Sequence, residues 1–171
     1  MAGRILVGCQ DGVYVILFEG DVRLTLYTAA DRFLDRMFSD VNFKSVVVDL
    51  SGTESIDSTS LGLLAKLSIL AKRHFDYVPT LISTRPDITR ILLSMGFEDV
   101  FHIVEVPLER TSQLGELPEL VTTEEDMRER VIEAHRTLMS MNESNRETFQ
   151  DLVAALEAEE QPVMERRRAS R

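Results

Sequence analysis

"VVVDLSGTESIDSTSLGLL", Val46 to Leu64, contains the change of pattern that decides the fold. It opens inside "KSVVVDLS", Lys44 to Ser51, whose apolar run has no polar alternation, as expected of a central strand buried on both faces. "GTESID" then reads as a short loop. From Ser58 the pattern turns helical: Leu61, Leu64, Leu67 and Leu70, with Ala65 and Ala71, make one buried stripe running to about His74. The junction is overloaded with hydroxyls. Asp57 precedes Ser58, Thr59 and Ser60, although Asp57 or Ser58 alone suffices to cap a helix. A first turn also offers unpaired N–H groups and the positive end of the helix dipole. A phosphate on Ser58 would therefore sit where the backbone favours an anion, by roughly 0.3–1 kcal/mol.

Upstream, "RILVGCQ" and "VYVILFEG" read as strands joined by Asp11-Gly12, a tight-turn pair, so the chain opens with a hairpin. "LTLYTAADRFLDRMFSD" has a helical period, with Leu26, Ala30, Phe33, Leu34 and Met37 on one face and Thr25 or Thr28 as its cap. Downstream, "VPTLIS" is a strand with Pro79 at its start. "TRPDITRILLSMGF" is a helix with Thr84 as cap, Pro86 in its first turn and Gly96 at its end. "EDVFHIVEV" is the last strand. The order β-β-α-β-α-β-α-β predicts an α/β fold: a mixed β-sheet with packed helices over residues 1–106.

Residues 107–121, punctuated by Pro107, Gly115 and Pro118, read as a linker. Residues 122–160 read as a C-terminal helical extension that starts at Thr122-Thr123, ahead of Glu124, Glu125 and Asp126. Its stripe is Met127, Val131, Ala134, Leu138, Met141, Phe149, Leu152 and Leu156, interrupted by "NESN", Asn142 to Asn145. Ser144 with Glu147 fits a capping box. One long helix and two shorter ones both fit. An isolated amphipathic helix is marginal in water, so the extension should dock on the first unit or dimerise. Residues 161–171 are expected to form a disordered tail.

Composition narrows the function classes. The 171 residues are 44% hydrophobic and 28% charged, a soluble globular balance. No apolar run is long enough to span a bilayer, and the polar Gln10, Asp11 and Gly12 interrupt any signal-like stretch, so a cytoplasmic location is expected. A net charge of −10 argues against nucleic acid, whose phosphates need Lys and Arg. The single cysteine, Cys9, excludes an internal disulfide and reads as a small core residue. His74, His102 and His135 are scattered and lack metal-ligand spacing, and Asp49 has no second acid beside it. There is no P-loop, dinucleotide fingerprint or nucleophile elbow. No catalytic residue, metal or cofactor is therefore expected, and the partner should be a protein or a small molecule.

The junction resembles the signature of STAS domains, in particular that of bacterial anti-sigma factor antagonists. That signature is a buried strand ending in an acid, a short loop, an apolar residue, then Asp-Ser-Ser/Thr-Gly-Leu-Gly opening a helix. Ile56, Asp57, Ser58, Thr59, Leu61 and Gly62 match it, and Ser60 stands where the family has glycine. "EGD", Glu19 to Asp21, and "LLSMGFEDVFHI" agree in order, so the resemblance covers roughly residues 3–106. It implies a partner-switching protein. Ser58 would be phosphorylated by an anti-sigma factor that is also a serine kinase, and a serine phosphatase would reset it. Unphosphorylated, the protein would sequester that anti-sigma factor through a surface of Asp57, Thr59, Ser60, Leu61 and Gly62, with Asp21 near the same edge. The alternative within the family is a STAS adaptor subunit of a transporter or lipid-trafficking complex.

Overall fold

The structure, a computed structural model, describes residues 1–109 and 113–170. β1 (Arg4–Gln10) and β2 (Val13–Val22) form the expected antiparallel hairpin. Asp11 and Gly12 both take positive φ, 52° and 82°, the combination a two-residue hairpin turn demands. β3 (Ser45–Asp49) lies parallel to β2, followed outward by β5 (Thr80–Ile82) and β6 (His102–Val104), also parallel. Among the described residues the sheet is mixed and seven-stranded, ordered β6-β5-β3-β2-β1-β7, where β7 is Gly115–Leu117, with β4 (Thr53–Ile56) also paired to β2. The expected STAS-like α/β architecture is thus present.

Two strands are additional to the reading. "GTESID" is not simply a loop: after a turn at Ser51 and Gly52 it forms β4 (Thr53–Ile56), parallel to the far end of β2. Thr53 is held there by its hydroxyl, which donates to the Phe18 carbonyl at 2.8 Å. Within the expected linker, β7 (Gly115–Leu117) pairs antiparallel with Ile5, Leu6 and Val7 of β1 and covers an otherwise open sheet edge.

The helices are α1 (Tyr27–Phe38), α2 (Ser58–Phe75), α3 (Pro86–Ser94), α4 (Glu124–Met141) and α5 (Glu143–Ala169). Neither Thr25 nor Thr28 caps α1, because a 3-10 turn, Leu24–Leu26, leads directly into it and Leu26 takes the cap position. Thr84 does not cap α3, whose N-cap is Arg85, with Pro86 in the first turn. The extension is two helices, since Asn142 leaves the helical region and its side chain accepts the Asn145 N–H at 2.8 Å. Asn142, not Ser144, is the cap. The helix continues to Ala169, through most of the expected tail.

The core joins the sheet to α1, α2 and α3, with Ile16, Phe18, Val46, Val48, Leu64, Leu81 and Phe97 buried. Cys9 is exposed rather than in the core, because it lies on β1 past Ile5, Leu6 and Val7, the stretch that β7 flanks. Of the extension's expected stripe, Ala134, Leu138 and Phe149 are buried, and the buried face is wider than expected on one side. Ile132, His135 and Val153 are buried, whereas Leu152 faces out.

Candidate functional site

The site is built around the start of α2. Asp57 is in extended conformation immediately before the helix, and its carboxylate has two tasks. Oδ1 accepts the Ser60 N–H at 2.8 Å, capping α2, and Oδ2 accepts the Leu24 N–H at 2.7 Å. The Asp57 N–H donates to the Val22 carbonyl at 3.1 Å. One short acid thus ties the end of β2, the approach to α1 and the head of α2 together. Asp21 lies on the same sheet end, opposite Ser55, and its carboxylate accepts the Ser55 hydroxyl and pairs with Arg23 at 3.2 Å. The Ser55 bond, then the Arg23 charge, hold the Asp21 carboxyl below the usual carboxylate range.

Ser58 is the first residue of α2 and is half-buried. Its hydroxyl is 2.8 Å from Nε2 of His135, 77 residues away on α4. His135 Nδ1 lies 2.7 Å from the Val131 carbonyl, which accepts only, so the ring carries its proton on Nδ1. Nε2 is therefore the acceptor and Ser58 donates. The imidazole is 2% exposed, with Phe149 of α5 against it edge-on at 5.0 Å. A serine against an unprotonated imidazole nitrogen is the pairing that activates nucleophiles. Here α4, which carries the imidazole, also packs over the serine.

Thr59, Ser60, Leu61 and Gly62 do not form an open surface in this conformation; all four are buried. Leu61 belongs to the core, and Gly62 touches the extension directly. A Cβ at position 62 would lie 2.4 Å from the Ala134 carbonyl oxygen, so α2 and α4 meet backbone to backbone. One turn further on, Lys66 bridges Asp31 of α1 at 2.8 Å and Glu133 of α4 at 2.9 Å. Arg130 of α4 closes on the other oxygen of Asp31, and the Tyr27 hydroxyl donates to Glu133 at 3.0 Å. Burial opposes the Lys66 ammonium, but its two carboxylate bonds outweigh that and raise its pKa. Burial, then the Glu133 and Asp31 charges, push the Tyr27 phenol well above its ordinary range. At the far end of the contact, Asn145 is 2% exposed and donates to both the Met95 and Leu138 carbonyls at 2.9 Å.

His135 is the site residue that sequence reasoning missed. Its signal was its place at helical spacing between Val131 and Leu138, on the extension's apolar side. A second signal was α2 itself. "LGLLAKLSILA" is apolar around most of its circumference, as a helix covered on two sides must be.

Among the described residues no helix is long and apolar enough to cross a membrane, and no His, Cys, Asp and Glu cluster is suited to a metal. Comparison with curated proteins finds no match. Comparison with protein-family models matches residues 4–113 to the STAS domain. That stretch is more than half of the chain, includes the whole Asp57–Gly62 junction and stops short of α4 and α5. The chain belongs to the STAS domain family.

Proposed function

We propose that this protein is an anti-sigma factor antagonist: a binding module, not an enzyme, whose hold on an anti-sigma factor is controlled by phosphorylation of Ser58. The observation that carries the reading is the position of that hydroxyl. Ser58 opens α2 beside the Asp57 cap, and its hydroxyl bonds out of the STAS unit, to His135. In the proposed reaction Ser58 Oγ bonds to the γ-phosphorus of ATP, the bond to the ADP oxygen breaks, and the hydroxyl proton passes to a base of the kinase. A serine phosphatase returns the hydroxyl by hydrolysis.

The phosphate adds about −1.5 to −2 charges at pH 7. Opposing that charge at a covered contact costs about 2–5 kcal/mol, or roughly thirty-fold to a few thousand-fold in affinity. Such a factor switches a complex without a large change of shape. The backbone N–H groups of the first turn make the phosphate tolerable to α2 itself.

The test is recovery of the protein from its source cells, with the phosphate mapped by mass spectrometry and with Ser58→Ala and Ser58→Asp forms used as baits. The expected result is phosphate on Ser58 and an anti-sigma factor held by Ser58→Ala but not by Ser58→Asp. Phosphate found only at other residues would refute the switch. Recovery with a membrane ATPase, unaffected by either substitution, would favour the adaptor reading instead.

A further inference from the structure

α2 has two buried sides. One packs on α1 and the sheet, and the other, from Ser58 to Lys66, is covered by α4. We propose that this second side is a protein-docking surface and that the α4–α5 hairpin is its displaceable intramolecular occupant, which a kinase or binding partner must lift away to reach Ser58. The inference rests on the reading of Ser58 as the controlled residue and adds the gate that controls access to it.

The contacts that fasten the hairpin are of two kinds. Ala134, Leu138 and Phe149 join the apolar core, and around them stand polar pairs: Ser58 to His135, Lys66 to Glu133, Asp31 to Arg130, Tyr27 to Glu133, and Asn145 to the Met95 carbonyl. Each of the polar groups finds water when the helices part, so that share of the contact forfeits less on opening than the same area of apolar core. The hairpin also has its own internal ties. Arg136 pairs with Glu157, and Arg128 with Glu159 at 3.8 Å, so α4 and α5 leave together. A tether is present as well. β7 stays paired to β1 up to Leu117, and residues 118–123 before α4 form no helix or strand. Six extended residues reach about 20 Å.

Closure and phosphorylation exclude one another. A phosphoryl group on Ser58 Oγ would have to occupy the 2.8 Å contact with His135, where a lone pair faces it. The modified serine therefore holds the hairpin off, and the unmodified one lets it return. An external protein that binds the α2 face competes with α4 for the same residues.

The experiment uses the full chain with Cys9→Ser and Ser58→Cys, so that its one thiol reports on the covered position. Maleimide labelling is timed in this parent and after adding Glu133→Lys, which sets two cations against each other at Lys66. The expected result is labelling about ten-fold or more faster with Glu133→Lys, the effect of weakening the closed state by about one decade in equilibrium constant. Amide exchange of β2 and β3 should not change. Equal labelling rates would overturn the proposal.

A second measurement guards against a variant that fails to fold. In the unsubstituted chain, α4 and α5 amides should exchange with a smaller denaturant dependence than those of β2 and β3, as a locally opening unit does. Exchange of all four elements by one global event would overturn the proposal. Hairpin opening without phosphate on Ser58 in cells removes the kinase switch but leaves the displaceable hairpin. Phosphate on Ser58 with purely global opening does the reverse.

Discussion

Gly62→Ala tests how closely α2 and α4 approach. The added Cβ would lie 2.4 Å from the Ala134 carbonyl oxygen and 2.6 Å from both its carbonyl carbon and its Cβ. Ordinary carbon contacts are about 3.5–4 Å, so the helices must separate by roughly 1 Å. Two of the three obstructing atoms are backbone, which cannot rotate away. Overpacking of this kind costs about 1–3 kcal/mol. Alanine in place of glycine inside a helix returns about 1 kcal/mol. The net expectation is a stability lower by about 0–2 kcal/mol, with the loss confined to the α2–α4 contact. Hydrogen exchange followed by mass spectrometry, with urea unfolding alongside, reads this directly. α4 amides should lose protection while β2 and β3 keep theirs. Adding Ala134→Gly removes one of the three obstructions, so it should restore protection only in part. If Gly62→Ala instead raised stability by about 1 kcal/mol with α4 fully protected, the helices would not be in backbone contact and the reasoning would fail.

Asn145→Ala should cost about 1–3 kcal/mol in urea unfolding, because it leaves the Leu138 carbonyl without its buried amide donor and the Met95 carbonyl with the Asn142 amide alone. Asp57→Ala removes an N-cap and the bond to Leu24 together. A loss of about 2 kcal/mol is expected, seen as fraying of the first turn of α2 in amide exchange. Lys66 and Tyr27 both have folded pKa values raised above their unfolded ones. Their contribution is therefore complete at neutral pH and is lost as pH climbs past about 10 through the folded values. Urea unfolding across pH 8–11 should show that alkaline fall, and Lys66→Met with Tyr27→Phe should flatten it. A slope unchanged in the double variant would mean that other groups cause it.

Much of the fold could be read from the chain because local physics decides it. Asp11-Gly12 dictates a hairpin by its positive φ, "VVV" demands a buried strand, and Asp57 can cap only the helix that follows it. These signals span a few residues and carry their own geometry. β4 and β7 escaped notice because short strands of mixed polarity gain their hydrogen bonds only from a neighbour, β2 in one case and β1 in the other. Cys9 was misjudged for a related reason. Alternation shows which side of a strand a residue is on, but not how far along it a neighbouring strand reaches.

The candidate site divides the same way. Sequence alone placed Ser58 at the head of a helix, beside an acid able to hold its first turn, since that arrangement depends on neighbours within four residues. Only the tertiary structure brought His135 to that hydroxyl, set Glu133 and Arg130 around Lys66 and Asp31, and turned the expected open surface into a covered one. Contacts between residues so far apart in the chain depend on which helix faces find each other. That choice follows from shape, such as the absence of a side chain at Gly62, and from summed packing that no short stretch records.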